Sequence, residues 1–399
     1  MAHIPSASTG IGASVIRLLW PLHGSAFSGA VPFKAGSGYM PGLDGLRALS
    51  IITVLVAHLG FDKIVPGGLG VTIFFFVSGF LITRILVGEQ NKSEGRIDLG
   101  PFYMRRFLRL MPALAVFIIG SWLLITPFGG KPLPAHVAAS SLYFVNYYDV
   151  LDNWFGWPER LVPWGHLWSL AVEEHFYLIF PAALALFGRT HSARMQLIIG
   201  AIVASALWRV VAISVLGWPD QYTYQTTDCR LESIAWGCLL AVMLDGAPRQ
   251  NARLSWLVGW PWLAAGVGAI LFTLVYRDEA FRSTWRYSVQ GGALFVLVLN
   301  LYALRSLRFG IDLLEIKPLR WIGRLSYSLY LWHWPMIWIA QKITGVDPDA
   351  GQKLSIPMMA VVVMFSFGFA CASYYGVERP LFALRKKFGG TPVESLARG

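Results

Sequence analysis

The sequence predicts an all-α, polytopic integral membrane protein with about ten transmembrane helices and both termini in the cytoplasm. Of its 399 residues 55% are hydrophobic and only 14% are charged, and the mean hydropathy is +0.54. Apolar runs long enough for an α-helix to cross a bilayer recur along nearly the whole chain. These runs lie at 44–60, 67–88, 111–127, 166–187, 196–216, 229–245, 256–276, 286–304, 321–343 and 356–376.

The distribution of basic residues sets the predicted orientation. A formal charge of +11 could indicate nucleic-acid binding, but the basic residues follow the positive-inside rule instead. With a cytoplasmic N-terminus, 20 of the 33 Lys and Arg residues fall in inside segments, 6 in outside loops and 7 within spans. Segment 136–150 is too short and too polar to span. We therefore expect a multi-pass protein of the inner (plasma) membrane that contacts the lipid bilayer and no nucleic acid.

The flanking segments and the cysteines supply no candidate site residues. Residues 1–39 are rich in Ser, Gly and Ala and are expected to form a flexible cytoplasmic tail, since the apolar stretch at 18–20 is too short for a signal peptide. Residues 40–382 form the predicted transmembrane domain, and 383–399 a cytoplasmic tail. The three cysteines, Cys229, Cys238 and Cys371, have no CxxC spacing, so we expect core residues and neither a disulfide framework nor a metal site.

The first span carries two ionisable residues on one helical face. Arg47 and His58 are eleven positions apart, and eleven steps of about 100° return to within about 20° of the starting face. An ionised group at the bilayer centre costs roughly 2.5 to 3.5 kcal/mol, so such residues usually face a functional cavity. The alternative is that Arg47 snorkels to the interface and His58 ends the helix in a polar loop.

Three arginines follow the second span, in the segment PFYMRRFLRLMP. Arg105, Arg106 and Arg109 lie within about one turn of each other on a cytoplasmic helix. The arginine side chain can pair two phosphate oxygens at once and stays charged, so the cluster suits a cytoplasmic donor with several phosphates. The alternative is an interfacial helix whose arginines contact lipid phosphates. Ser78, in the second span, lies among aromatic residues in a pattern that helix packing alone would also explain.

The fourth span opens with HLWSLAVEEHFYL, which contains two adjacent carboxylates about 100° apart. We favour Glu173 as the inward one, two turns after His166; a structural role for Glu173 and Glu174 against intramembrane cations such as Arg209 or Arg230 is the alternative. Arg230 lies between Asp228 and Glu232 at an outer helix mouth. Further polar residues form one stripe at i, i+4 and i+7 in the ninth span, a pattern that also fits inter-helix hydrogen bonding: Ser326, Tyr330 and His333.

Taken together, six segments in this order resemble the membrane-bound acyltransferase family 3: LDGLRAL with R-x10-H, GVTIFFFVSGFLITR, FYMRRFLRLMP, HLWSLAVEEHFYL, SYSLYLWHWP and VERP. The resemblance runs from about residue 40 to 382. It implies transfer of an acyl group, usually acetyl, from cytoplasmic acyl-coenzyme A to a hydroxyl of a surface glycan such as lipopolysaccharide, exopolysaccharide or a lipo-oligosaccharide. Some relatives acylate macrolide-type small molecules. Many carry an extracytoplasmic hydrolase-like domain that this sequence does not contain, which leaves open a separate extracytoplasmic partner.

The resemblance implies essential roles for the Arg and His of R-x10-H and for the Arg-x-x-Arg element. These positions are Arg47, His58, Arg106 and Arg109 here. We assign His58, Arg47 and Glu173 to catalysis, and Arg105, Arg106 and Arg109 to the acyl-coenzyme A donor, with no metal. The acceptor is assigned six residues: Ser78, Glu174, Arg230, Ser326, Tyr330 and His333.

Two mechanisms remain open at this point. In one, neutral His58 removes the proton of the acceptor hydroxyl, oriented by Glu173 or Glu174. In the other, His58 or Ser78 carries the acyl group as a covalent intermediate. A proton-coupled transporter is the rival from another class, but it needs no cytoplasmic arginine cluster, and the sequence shows no internal repeat.

Overall fold

The computed structural model describes residues 39–156, 162–245, 252–348 and 351–388. Most of the predicted N-terminal tail and residues 389–399 of the C-terminal tail lie outside the described residues. Those described form sixteen α-helices and no β-strand: α1 (Leu43–Val56), α2 (Gly67–Lys92), α3 (Leu99–Ile125), α4 (Pro134–Ser141), α5 (Val145–Phe155), α6 (Trp168–Phe187), α7 (His191–Val210), α8 (Asp220–Gln225), α9 (Thr227–Leu244), α10 (Trp260–Val275), α11 (Glu279–Ser283), α12 (Arg286–Ala303), α13 (Arg308–Leu314), α14 (Lys317–Thr344), α15 (Ile356–Ser373) and α16 (Arg379–Lys386).

The protein is all-helical, as predicted, and it has helices able to cross a membrane. Each of the ten predicted segments contains a long helix, and the segment 136–150, predicted to stay outside, holds the short helices α4 and α5. Within the described ranges six helices are both long and apolar enough to span; a seventh is reached if Arg286–Ala303 and Arg305–Leu314, bent by 90°, form one span. The six are Leu43–Phe61, Gly67–Lys92, Leu99–Phe128, Gly165–Phe187, His191–Val215 and Ile356–Leu384.

The other three predicted spans correspond to α9, α10 and α14, which are shorter or more polar. Helix α10 has 16 residues, and α9 carries Asp228, Arg230 and Glu232 near its start. Most residues of α9 and the middle of α14 are buried. Their polar side chains therefore face other helices rather than lipid, which is where ionisable groups in a membrane domain are tolerated.

Glycines allow the central helices to pack backbone against backbone. A Cβ on Gly79 of α2 would lie 2.1 Å from the carbonyl oxygen of Ile234 in α9, and a Cβ on Gly237 would lie 2.0 Å from that of Phe76. Gly323 of α14 meets the carbonyl of Asp44 in α1 in the same way, at 1.9 Å. Small residues permit this close approach in membrane bundles. The result is a core of α1, α2, α9 and α14, against which the other helices pack.

The three cysteines are free. Cys229 and Cys238 are buried in α9, and Cys371 is half-buried in α15. All three lie in helices, where a thiol behaves as a small apolar side chain.

Candidate active site

A cavity lies between five helices, α1, α2, α3, α6 and α14. Its empty volume is about 730 Å³, which includes the solvent space at its open end. One end is lined by Arg47, Arg106 and Arg109, and we call it the arginine end. The other is lined by Val54, Ser169 and Tyr330, and we call it the histidine end, because His58 follows one turn after Val54. The two ends have different chemistry, one cationic and the other lined by hydroxyls.

At the arginine end, three guanidinium groups converge from two helices. Arg47 lies over the ring of Phe74, 5.4 Å from its centroid, and its buried Nε has no hydrogen-bond partner in the described part of the chain. Arg106 lies over the ring of Tyr177 at 4.4 Å. Arg109 lines the same end. This surface can bind an anion with several oxygens, since guanidinium groups pair with phosphate or carboxylate in a bidentate manner.

The middle of the cavity holds a hydrogen-bonded cluster. Ser78 Oγ and the Tyr177 hydroxyl both donate to Glu173 Oε1, and these two hydroxyls also contact each other. Glu173 and Tyr177 belong to a stripe with Ser169 at i, i+4 and i+8 of α6, so one helical face supplies all three. The cluster places polar side chains halfway between the arginines and the histidine end.

A pair of hydroxyls closes the histidine end. The Ser169 and Tyr330 hydroxyl oxygens are 2.6 Å apart, and the Tyr330 hydroxyl donates to the backbone carbonyl of His166 at 2.8 Å. Ser169 and Tyr330 line the cavity, whereas His58 and His333 lie just beyond them. This pair therefore separates the cavity from a layer of histidines.

His58 lies in the π-helical turn Ala57–Phe61 that continues α1, where Gly60 adopts φ +97°. Short π-helical turns are frequent at functional sites. The His58 ring stacks on His333 with centroids 5.2 Å apart and meets the edge of Trp334 at 4.4 Å. His58 Nδ1 and His333 Nε2 are 2.9 Å apart.

The hydrogen bonds of His333 fix the tautomer of His58. His333 Nδ1 lies 2.7 Å from the backbone carbonyl of Tyr330. A carbonyl only accepts, so His333 Nδ1 carries hydrogen and neutral His333 must accept at Nε2. His58 therefore donates from Nδ1, and its Nε2 is left as an unprotonated lone pair with no hydrogen-bond partner among the described residues. That nitrogen is positioned to act as a base.

A third histidine completes the layer. His166 Nε2 lies 3.1 Å from the carbonyl of Leu331, and its ring meets that of His333 at 5.3 Å between centroids. Because the Leu331 carbonyl accepts from Nε2, Nδ1 of neutral His166 is an acceptor. It is buried and has no partner in the described ranges.

Besides His58 and His333, four predicted site residues lie outside the cavity lining. Glu174 does not line the cavity, and Arg105 points away from it and donates to the carbonyl of Phe388 at 2.6 Å. Ser326 is fully buried outside the cavity lining, with its Oγ unpaired in the described part of the chain. Arg230 lies in a cage of aromatic rings that includes Phe75, a residue of the cavity lining. Glu173 contacts Ser78 and Tyr177, two turns from the histidine layer, rather than orienting His58.

Several cavity residues were not among the sequence candidates. Ser169 and Tyr177 share the α6 stripe with Glu173, and that periodicity could have identified them. Tyr327, which lines the cavity and donates to the carbonyl of Leu110 at 3.0 Å, lies one turn before Tyr330. The partnership of His58 with His333 joins positions 275 apart, for which the sequence carries no local signal.

The glutamate pair does not neutralise the buried cations of α7 and α9. Arg209 forms an ion pair with Glu232, with both side chains fully buried. It also donates to the carbonyls of Thr284 at 2.8 Å and Cys229 at 2.6 Å. The structural role considered for Glu173 and Glu174 with respect to Arg209 is thus filled by Glu232.

Comparison with known proteins identifies the family. The acyltransferase 3 family, described as an acyltransferase domain, matches residues 40–376. The chain is 33% identical over 354 residues to the peptidoglycan O-acetyltransferase OatA of Listeria monocytogenes, covering 83% of this chain and 55% of that protein. It is 30% identical over 345 residues to the O-acetyltransferase OatA of Staphylococcus aureus, covering 83% and 56%.

The chain thus spans about half the length of these curated relatives. No solved structure matches it. The family match extends over most of the chain and includes every helix that lines the cavity. On this evidence the chain belongs to the acyltransferase 3 family.

Proposed function

We propose that this protein is a membrane O-acyltransferase that moves an acetyl group from acetyl-coenzyme A to a hydroxyl of a cell-envelope glycan. The observation that carries the proposal is the order of hydrogen bonds from the Tyr330 carbonyl through His333 to His58. It leaves an unprotonated His58 Nε2 just beyond the Ser169–Tyr330 pair, which closes one end of a cavity whose other end is lined by arginines.

The donor enters at the arginine end. Coenzyme A carries its phosphates at the nucleotide end and a neutral pantetheine arm that ends in the thioester. Arg106, Arg109 and Arg47 hold the phosphates or the start of the arm. From Tyr177 to Ser169 the cavity extends two turns of α6, about 12 Å by helix rise, a length that the pantetheine arm can fill. The thioester then lies near the Ser169–Tyr330 pair.

The transfer itself requires one base. His58 Nε2 takes the proton of the acceptor hydroxyl as the hydroxyl oxygen attacks the thioester carbonyl carbon. The C–O bond forms, the C–S bond breaks, and the proton on His58 passes to the departing thiolate to give free coenzyme A. His333 holds His58 in the required tautomer throughout.

The names of the relatives favour peptidoglycan as the acceptor. The Listeria protein is named a peptidoglycan O-acetyltransferase, and peptidoglycan was not among the glycans inferred from the sequence. We therefore rank a peptidoglycan sugar hydroxyl above lipopolysaccharide, exopolysaccharide or a macrolide as the acceptor to test.

The proposed arrangement in the membrane is ten spans with both termini in the cytoplasm of the inner (plasma) membrane. Ten helical segments and the excess of Lys and Arg on one side support it. Under this arrangement the arginine end opens to the cytoplasm, where coenzyme A is available, and the histidine layer lies toward the outer face.

The test is coenzyme A release from acetyl-coenzyme A by purified protein in lipid, corrected for hydrolysis, with and without peptidoglycan fragments. We expect acceptor-dependent release, its loss in His58→Ala, and a raised donor KM in Arg106→Gln. Arg105→Gln is the matched control, because Arg105 neighbours Arg106 but points away from the cavity. Donor binding without release for any acceptor glycan, or an equal effect of the two arginine variants, would contradict the proposal.

A second experiment separates direct transfer from a covalent relay. Single turnover with acetyl-labelled donor and no acceptor leaves label on the protein only if a relay operates. Loss of that label in Ser78→Ala would place the relay in the Ser78 cluster, whereas loss in His58→Ala alone would place it on the histidine. If the wild-type protein retains no label, that result supports direct transfer.

A further inference from the structure

A second group of arginines surrounds Tyr287 at the start of α12. The guanidinium of Arg230 lies 3.9 Å from the centroid of the Tyr287 ring, and that of Arg286 lies 4.9 Å from it. Arg209 approaches the same ring at 5.3 Å. Three cations therefore share one aromatic ring, away from the arginine end of the cavity.

The charge of this group is only partly balanced. Arg209 is paired with Glu232 and satisfied by backbone carbonyls. Arg230 and Arg286 have no carboxylate partner among the described residues: Arg230 donates to the Thr72 hydroxyl at 3.2 Å, and Arg286 to the Tyr287 hydroxyl at 2.8 Å. Two positive charges are thus left without a counter-ion within the described ranges.

Arg230 also has donor groups without hydrogen-bond acceptors among the described residues. It is 1% exposed, and its Nε and Nη1 have no acceptor in the described part of the chain. A buried donor without an acceptor destabilises a protein, more so when it is charged. By contrast, Arg209 on the neighbouring helix α7 has acceptors for Nε and for both terminal nitrogens. The open donors of Arg230 are available to an anion.

The surroundings of Arg230 are aromatic. Besides Tyr287, the rings of Trp168 and Tyr224 lie 5.7 and 5.8 Å from its guanidinium. These rings enclose the guanidinium, since Trp168 is 6% and Tyr287 2% exposed. Arg286 is half-buried, so it links the enclosed Arg230 to the surface.

The cage lies beside the histidine layer. Thr72, the partner of Arg230, is on the first turns of α2, and a Cβ on Gly67 of that helix would lie 2.7 Å from Ala57, the residue before His58. Trp168 directly follows the turn Gly165–Leu167 that contains His166. A molecule held by Arg230 and Arg286 therefore lies on the side from which an acceptor would approach His58.

We propose that Arg230 and Arg286, with Tyr287 between them, form a binding site for an anionic group on the acceptor glycan, either a phosphate or a carboxylate. This rests on the proposed function, since it assigns the site to the acceptor. The anion takes the free Nε and Nη1 donors of Arg230 and neutralises both guanidinium groups. Acceptors that carry an anion are thus selected over neutral ones.

The test is isothermal titration of purified protein in detergent, with saturating coenzyme A present to occupy the arginine end. The probes are pyrophosphate, N-acetylmuramic acid, which carries a carboxylate, and neutral N-acetylglucosamine. We expect wild type to bind at least one anionic probe at least tenfold more tightly than the neutral sugar. Arg230→Gln and Arg286→Gln should each remove that preference. Which anionic probe binds identifies the phosphate or the carboxylate as the group recognised.

If Arg230→Gln does not fold, Arg286→Gln still tests the site, because Arg286 is only half-buried. Arg277→Gln is the control, since Arg277 is exposed in the loop before α11. Equal affinity for neutral and anionic probes, or unchanged anion binding in Arg286→Gln, would overturn the site. Binding does not depend on turnover. If wild type binds an anionic probe, the arginine variants lose that binding and no acetyl transfer is found, then the site stands and the proposed function is rejected.

Discussion

His333 decides the chemistry of His58 because it is the only described side chain that hydrogen-bonds it. Replacing His333 with Ala removes the acceptor for Nδ1–H, so both tautomers of His58 become populated and the base is misplaced. We expect kcat to fall roughly 10- to 100-fold, the scale at which mispositioned groups act, with the donor KM unchanged. His333→Gln, whose amide oxygen can accept the same hydrogen bond, should recover part of the rate.

Steady-state kinetics of coenzyme A release measures both parameters for these variants. The matched control is His191→Ala, since His191 is the first residue of α7 and not part of the histidine layer. A normal kcat in His333→Ala would show that His58 needs no partner.

The Arg209–Glu232 pair makes a stability prediction at the same scale. Both side chains are fully buried, so Glu232→Gln leaves the Arg209 charge without its counter-ion. Breaking a buried pair from one side costs about 3 to 5 kcal/mol. We expect a clear loss of thermal stability in detergent. The double variant Arg209→Met, Glu232→Leu should recover much of it, because neither charge remains; no recovery would show that the other hydrogen bonds of Arg209 matter more.

Residue spacing allowed only part of the site to be predicted. The eleven-residue spacing predicts Arg47 and His58 along one side of the first span; the structure has Arg47 in the cavity lining and His58 in the π-helical turn that follows α1. The adjacent Arg105 and Arg106 differ by about 100° on the helix, and sequence alone does not tell which faces inward. The hydrogen bond from His58 to His333 depends on how α1 packs against α14, which is a tertiary property.

At the scale of helices, hydropathy was sufficient to predict the position of most of the long helices. Every apolar run became a helix, because in a bilayer the backbone must satisfy its own hydrogen bonds. The π-helical turn at His58 and the 90° bend after α12 were not predictable, since both depend on packing contacts rather than on composition. Helices α9 and α14, predicted as spans from their apolar runs, are not among the six described helices that are both long and apolar enough to cross a membrane, and their polar residues face the interior.

The contact of α2 with α9 makes a prediction about two elements. A Cβ on Gly79 would overlap the backbone carbonyl of Ile234 at 2.1 Å, and a backbone atom cannot move aside without shifting the helix. We expect Gly79→Ala to lower stability by about 1 to 3 kcal/mol, the usual cost of overpacking. It should also lower activity, since Ser78 is on the same turn. Gly200→Ala in α7, where a Cβ meets nothing within 4 Å, is the control.

Thermal unfolding in detergent compares the two glycine variants. Because alanine favours helix over glycine, Gly200→Ala should be neutral or slightly stabilising. Equal stability of both variants would show that α2 and α9 can separate without loss.

Over the whole molecule, the basic loops and the cationic end of the cavity lie on the same side. The loops assigned to the cytoplasm hold most of the Lys and Arg residues, and the arginine end of the cavity lies at the same ends of α1 and α3. The second arginine group, around Tyr287, lies at the opposite end, beside the histidines. In the proposed function the donor therefore reaches one set of arginines from one side, and the acceptor reaches the other set, beside the histidine layer, from the other side.

This arrangement requires a particular orientation, which single cysteines can test in a background without the three native ones. Arg96 lies in the exposed connection between α2 and α3, and Lys131 in the exposed connection between α3 and α4. In intact cells a membrane-impermeant maleimide should label Lys131→Cys, whereas Arg96→Cys should react only after the membrane is permeabilised. The opposite pattern would place the arginine end outside, where cytoplasmic coenzyme A cannot reach it, and would reject acetyl-coenzyme A as the donor.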